Sequence, residues 1–509
     1  MCVSEKVNLP KNRLNSLKKR LPSGYTCPFH PDLLMPTSAQ NMLVICSDQH
    51  HPRMSGYRGH PYVQTPNLDR LAESGTHFTS AYCTSPVCTP SRMSFITGKY
   101  VHQIETWMIG FPLARDEMTW ARRLDQAGIP TTMLGKMDLC GGYQDGGFTD
   151  HRIIHHRKAW PEIPRPEPWP DRMRGFTRPD KPRLIREAGP RPIASQVDIS
   201  GQYDSYDHDR QVTDWALAYL QDRAGKPEGE PWCLYVGYLL PHWPFRIPDQ
   251  YFDMYYPDHL DLPFDAHFPN ESLHPAIRHF QEALDLGAVD EDIIRRTVAA
   301  YYGMITCLDD QVGELMAALD RHSLTEQTTI IYTSDHGESL GEHGLFYKQC
   351  AYEGSVGVPL ILSGPEIPAG KTVAQPVDLV DLYPTILDWA DLEPEADRPG
   401  NSWLPLTRGA VPRRPYAFSE FHGNFFRHDW YMLVRGDFKY VYYAKERPSL
   451  FNIVDDPNEM TDLAMDPSYE GVLKSFEATL RTICDPDDVA NQAKRDLGLI
   501  GPDGTDYTN

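Results

Sequence analysis

The chain has 509 residues, long enough for more than one core, and its 40% hydrophobic and 11% aromatic content is that of a packed globular protein. Its 70 acidic residues against 49 basic ones leave a formal net charge of −21, which argues against nucleic acid or an anionic membrane surface as partner. Ten cysteines lie scattered without paired spacing, and no membrane-length apolar run or signal-peptide h-region is present, so we expect reduced thiols and a cytoplasmic location.

Residues 1–40 are polar, proline-punctuated and basic, and read either as an arm over the surface or a subunit interface, or as disorder. The apolar run Met42 to Cys46 predicts a buried parallel strand. It ends in Ser47-Asp48-Gln49-His50. Open α/β sheets bind ligands beyond the carboxyl ends of their strands, so Asp48 is a metal-ligand candidate or, alternatively, a helix cap. Thr65 to Gly75 reads as a capped amphipathic helix stopped by Gly75. In Pro86 to Gly98, Thr89 is expected to cap a helix and Pro90 to occupy its first position, with Phe95 and Ile96 on its core face. Cys88 would then lie at or just before a helix N-terminus, where the helix field lowers a thiol pKa. These residues alone leave two readings of Cys88, a half-buried turn cysteine or an activated one.

The run Cys88-Thr89-Pro90-Ser91-Arg92, with Thr97-Gly98 after an apolar pair, resembles the sulfatase signature. The resemblance implies that a maturation enzyme oxidises Cys88 to formylglycine. One oxygen of the hydrated aldehyde would attack sulfur, and the other would expel sulfate as the hemiacetal collapses. It also implies one divalent ion, Ca²⁺ or Mn²⁺, held by Asp48, Gln49, Asp335, His336 and the modified Cys88. Many sulfatases carry two acids where this chain has Asp48-Gln49; that variant is similar to the choline-sulfatase-like and phosphonate-hydrolase-like branches.

Further along, His102 lies close enough in sequence to approach the same turn. Thr131 to Leu134 reads as a strand, and Gly128 to Lys136 resembles the second sulfatase signature, which makes Lys136 a cationic clamp on the ester. Lys136-Met137-Asp138 replaces the family's common Lys-x-His, so Asp138 becomes an alternative acid. Residues 151–193 carry eleven Lys or Arg against five Asp or Glu among many prolines, and read as an irregular insertion, a lid or a subunit-contact loop. Asp209 to Leu220 is helical in pattern, and Trp232 to Leu239 is a strand leading into Pro241-His242-Trp243-Pro244-Phe245. There the resemblance assigns His242 to the ester or the modified residue. Residues 250–290 read as loop, Ile293 to Leu319 as one long helix, and Thr328 to Thr333 as a buried strand.

That strand delivers Asp335 and His336, the latter where most sulfatases have Asn, which favours a transition metal such as Mn²⁺ while leaving Ca²⁺ open. Gly341 to Lys348 resembles Gly-x-His-Gly-x-x-x-Lys and makes Lys348 the second clamp; Gly357 stands where the family has arginine. Asp378 to Leu392 reads as the last core helix, Met432 to Tyr443 alternates in strand fashion, and 450–459 resembles the sulfatase C-terminal subdomain.

Asp48, Lys136, His242 and Asp335 each follow a strand-like run, and Cys88 starts a helix. A doubly wound, mostly parallel α/β sheet with helices on both faces and one cleft at its carboxyl edge would bring them together. We expect an arm at 1–40, a catalytic domain over 41–395 with the 151–195 insertion, a smaller α+β subdomain with an antiparallel sheet over 396–485, and a polar tail from 486. Arm and tail suggest a homo-oligomer. The resemblance implies hydrolysis of an aryl or alkyl sulfate monoester, with Cys88, Arg92, Lys136, His242 and Lys348 catalytic. A phosphonate monoester or phosphodiester hydrolase using the same modified cysteine is the alternative, and a silent binding protein with an unmodified Cys88 the third reading.

Overall fold

The computed structural model describes residues 41–139, 145–152, 204–226, 230–263, 273–283, 289, 291–423 and 428–500, all within one compact unit, Ser38–Asn509. The expected arm, the insertion from residue 153 on and the last nine residues, 501–509, lie outside them. β1 (Asn41–Ser47) is buried along its whole length, as are β4 (Thr131–Gly135), β6 (Cys233–Gly237) and β7 (Thr328–Ser334). Continuous apolar and β-branched runs of this kind suit strands covered on both faces. With β2 (Gly75–Phe78), β5 (Asp150–Arg152), β8 (Leu360–Ser363) and β9 (Lys371–Val373) they form an eight-stranded sheet in the order β5-β4-β6-β1-β7-β8-β2-β9. Only β8 runs against its neighbours.

Two helix groups cover the sheet. Asp204–Ala224 and the long Glu291–Arg321 pack together with Pro66–Glu73, while Cys88–Thr97 packs with Trp120–Gln126 and Leu382–Trp389. The expected α/β architecture is therefore present. A short parallel pair, β3 (Ala81–Tyr82) with β10 (Val377–Asp378), lies outside the main sheet.

The C-terminal part is an antiparallel sheet of β11 (Ala417–Phe421), β12 (Trp430–Arg435), β13 (Phe438–Tyr443) and β14 (Ser449–Asn452). Its period-two pattern feeds two cores. Trp430, Met432 and Val434 join the main core, whereas Tyr431 and Leu433 pack with Phe476 and Leu480 of the helix Glu470–Ile483. The alternating stretch 432–443 is thus two strands, because Gly436 takes φ 58 and reverses the chain.

Three expectations change in detail. The segment from 378 splits into a 3₁₀ turn, Leu379–Asp381, and the helix Leu382–Trp389. Among the described residues of 250–290 there are helical segments, Asp249–Phe252 and Pro275–Ala283, where only loop was expected. Residues after 485 begin not as a polar tail but as a helix, Pro486–Asp496, capped by the Asp485 side chain. Ala493 joins the main core and Asp496 accepts from Trp107 Nε1 at 2.9 Å.

Candidate active site

Four adjacent parallel strands, β4, β6, β1 and β7, end on one edge, and three of them deliver a site residue at the position just past their last. Asp48 follows β1, Lys136 follows β4 and Asp335 follows β7; β6 leads into the loop that holds His242. Close approach at this edge explains a glycine. A Cβ on Gly237 would sit 2.0 Å from the Lys136 carbonyl oxygen, so no other residue lets β6 pass there.

The helix bearing Cys88 starts earlier than expected. Val87 is its N-cap without a side-chain cap, Cys88 is its first residue, and Pro90 is third, still within the first turn, where no amide donor is needed. Cys88 is fully buried. Its sulfur lies 3.3 Å from His336 Nε2, 3.8 Å from Lys348 Nζ and 3.9 Å from Asp48 Oδ1. Burial and the Asp48 carboxylate push the thiol up, but Lys136, Lys348 and His336 outweigh them and hold it down at about 6.

Oxygen and nitrogen donors converge on the same point. One ligand atom each from Asp48, Cys88, Asp335 and His336 lies within 4.8 Å of the others, and all four residues are buried. His336 Nε2 is 3.7 Å from Oδ1 of both carboxylates, while its Nδ1 bonds the Gly337 carbonyl at 2.9 Å. With Nδ1 as donor, Nε2 is left to act as a ligand. Burial raises Asp48, yet Lys136, His242, His336 and Arg92 hold it well below the carboxylate range; burial and the Asp48 charge push Asp335 up. Two buried carboxylates in contact with an imidazole nitrogen are a donor set that suits a divalent cation.

Lys136 is 1% exposed and pairs with Asp48 Oδ2, while its Nζ lies 3.5 Å from Asp138 Oδ2. Lys348 Nζ bonds Gln49 Oε1 at 2.5 Å. His242 Nε2 lies 4.0 Å from Asp48 Oδ1.

Arg92 is placed differently from the expectation. It lies fully buried behind the carboxylates, with Nε on Asp335 Oδ2 at 2.8 Å, one terminal nitrogen on Lys136 O and Tyr235 Oη, and the other on Asp48 Oδ2 and Ser47 O. Its N–H groups are committed to protein oxygens, so it cannot clamp the ester; it orients the two carboxylates. His102 is likewise not in the cluster, because its Nδ1 is held by Glu420 at 2.9 Å.

Three supporting residues carry no signal in the sequence. Asp209 accepts the Leu239 and Leu240 amides, both at 2.8 Å, and so holds the loop of His242. Tyr301 donates to the Gln49 carbonyl and accepts the His51 amide. Glu338, fully buried, accepts from the Gln49 side chain. These bonds span 30 and 31 residues for Asp209, 252 and 250 for Tyr301 and 289 between Glu338 and Gln49, so no local motif marks them.

Comparison with known proteins agrees with this geometry. The sulfatase family model matches residues 40–392, and a second, described as N-sulphoglucosamine sulphohydrolase, C-terminal, matches 341–485. The chain belongs to the sulfatase family. It is 30% identical to Arylsulfatase K of Danio rerio over 477 residues, which cover 89% of this chain and 86% of that protein. Among solved structures, the phosphonate monoester hydrolase of Agrobacterium radiobacter superposes with a TM-score of 0.70 at 25% identity, covering 91% of this chain and 99% of that one. BT4656, solved with its substrate D-glucosamine-2-N,6-O-disulfate, superposes with a TM-score of 0.70 at 20% identity, covering 92% and 99%, and shares the fold. The protein is accordingly an enzyme, a sulfatase that hydrolyses sulfuric esters. The family generally uses a divalent metal and formylglycine, and the buried Asp48, Cys88, Asp335 and His336 cluster fits both.

Proposed function

We propose that this sulfatase cleaves an aryl sulfate monoester at residue 88, and that Lys136 and Lys348 hold the transferring sulfuryl group. The observation that carries the reading is that both lysines reach the buried Cys88 cluster, through Asp48 on one side and through Gln49 and the sulfur itself on the other. The Cys88 sulfur occupies the position of the formylglycine oxygens. Once a maturation enzyme has converted it, residue 88 supplies a hydrated aldehyde as nucleophile.

Asp48, Gln49, Asp335 and His336 would hold the cation, which supplies Lewis acidity beside that group. The imidazole nitrogen of His336 suits Mn²⁺ better than Ca²⁺, which prefers oxygen donors throughout. Lys136 and Lys348 offset the ester's negative charge, and the charge that builds on its oxygens as the S–O bond breaks. Burial keeps water from screening them. His242 Nε2, 4.0 Å from Asp48 Oδ1, is placed to protonate the departing alcohol oxygen. Arg92 makes no contact with substrate and keeps Asp48 and Asp335 in register.

The test is kinetics on p-nitrophenyl sulfate and a phenyl phosphonate ester, using mass-verified formylglycine enzyme with Mn²⁺ or Ca²⁺ and a Cys88→Ala control. We expect kcat/KM to favour the sulfate, with activity abolished in the control. A preference for the phosphonate would overturn the substrate assignment. It would mean that Gln49 and His336, shared in kind with the phosphonate branch, describe the chemistry better than Lys136.

A further inference from the structure

Where many sulfatases have a second acid, Gln49 is neutral, and an amide ligand carries a problem that a carboxylate does not. Only its oxygen can ligate, and its NH₂ must be turned away and satisfied. The residue is tightly framed. Its backbone takes φ 68, its amide N–H bonds Asp335 Oδ1 at 3.2 Å, and its carbonyl accepts from Tyr301 Oη at 2.5 Å. The side-chain Nε2 donates to Glu338 Oε2, and Oε1 accepts from Lys348 Nζ. The other Glu338 oxygen accepts the Leu340 amide at 2.9 Å and the Tyr347 amide at 2.5 Å. Leu340 (φ 46) and Tyr347 (φ 71) both stand in the left-handed region, so the loop ending at Lys348 is wrapped around this carboxylate. Glu338 is fully buried, and Gln49, by a hydrogen bond, and Lys348, by charge, link it to the Cys88 cluster.

We propose that Glu338 is a positioning residue that turns the Gln49 amide oxygen toward the cation site and sets Lys348 beside it, carrying one residue further out the negative charge that a second acidic ligand would have supplied. This rests on the cation site argued above. It makes Gln49 and Glu338 a unit: an amide inside and a carboxylate outside, or the reverse, sets a donor against an acceptor where the two side chains meet, whereas two carboxylates or two amides set like against like.

The experiment titrates Mn²⁺ calorimetrically into metal-stripped, formylglycine-bearing enzyme and compares Glu338→Gln, Gln49→Glu and the double exchange with the unsubstituted protein. Thermal melts of the stripped forms monitor folding. Glu338→Gln should weaken Mn²⁺ binding about 10- to 100-fold. Gln49→Glu alone should also weaken it, although it adds an anionic ligand, because its carboxylate meets that of Glu338. The double exchange should recover binding to within about 5-fold of the unsubstituted enzyme. Equal affinity in Glu338→Gln, tighter binding in Gln49→Glu, or a double variant no better than Glu338→Gln would each overturn the inference. Gln49→Glu leaves Glu338 in place and so decides the matter even if Glu338→Gln fails to fold. If the unsubstituted enzyme binds no Mn²⁺, the cation site itself falls, and this inference with it.

Discussion

Lys136, Lys348 and Arg92 are all buried cations of one cluster, yet they differ in where their charge is spent. The Lys348 ammonium lies 3.8 Å from the Cys88 sulfur, and Lys136 meets the cluster through Asp48 and Asp138. The Arg92 guanidinium instead faces Asp335, Asp48, the Tyr235 hydroxyl and backbone oxygens. Replacing either lysine with alanine should therefore lower kcat/KM on p-nitrophenyl sulfate by about 10²-fold or more. Arg92→Leu should act first on stability. It strips the buried Asp335 carboxylate of its arginine and Asp48 of one of its two cations, and denaturant melts of the metal-stripped protein should show a loss of about 3–5 kcal/mol. A stable Arg92→Leu protein with only a kinetic defect would return Arg92 to the substrate. The signature motif made Arg92 legible as a site residue, but which way its guanidinium points is decided by Asp335 and Lys136, at 243 and 44 residues' distance, and no motif encodes that.

Among the elements, the hairpin of β11 and β12 holds a charged chain that the sequence did not announce. His422, just past β11, is fully buried; its Nε2 is 3.0 Å from Glu420 and its Nδ1 3.2 Å from Asp429, which immediately precedes β12. Burial lowers the imidazole, but Asp429 and Glu420 outweigh it and raise it from 6.5 to about 9; Glu420 falls from 4.5 to about 2 despite burial, through His102 and His422. The His422 contribution is complete below pH 6.5 and is lost as pH rises through about 9. The Glu420 contribution is complete above pH 4.5 and is lost as pH falls toward about 2. His422→Gln should therefore cost on the order of 3 kcal/mol near pH 6, with the gap from the unsubstituted protein closing above pH 9. Thermal melts across that range test it, and a gap independent of pH would show that His422 acts by packing alone. The four central strands β4, β6, β1 and β7 were legible because continuous apolar runs announce burial on both faces; the short β2, β5, β8 and β9 were not read as strands. Of this hairpin only β12 was legible, within the alternating 432–443 stretch; β11 was not, since its buried Ser419 and Glu420 interrupt the apolar pattern that would have marked it.

At the scale of the whole molecule, the C-terminal sheet is tied to the catalytic edge through Lys439 on β13. Its Nζ lies 2.9 Å from Glu353, 2.7 Å from Glu459 and 3.3 Å from the Ala351 carbonyl, with none of its surface exposed. Close by stands a departure visible in the sequence, the glycine at 357 where the family has arginine. A Cβ there would meet Pro52 Cγ at 2.6 Å and Glu353 O at 2.7 Å, so the position is too close for a side chain as the backbone stands, while Glu353 takes its cation from Lys439 of the C-terminal sheet. Glu353 also begins the short helix whose Gly354 carbonyl presses on Gly337, two residues beyond Asp335, so the pair supports the metal strand's loop from behind. Lys439→Met should cost about 3–5 kcal/mol at pH 7.5, because it removes the shared cation of two buried carboxylates and leaves only the more distant arginine charges to Glu353. Of the two, Glu459 bears the strain: burial and the neighbouring Glu353 push it up, whereas Lys439 and Arg53 overcome burial to hold Glu353 down. Adding Glu459→Gln to Lys439→Met should therefore restore more stability than adding Glu353→Gln, as read from urea midpoints of the three proteins. Equal rescue by either would place the charge on the pair as a whole, and a loss below about 1 kcal/mol for Lys439→Met would mean that the two sheets are held by their shared apolar core alone.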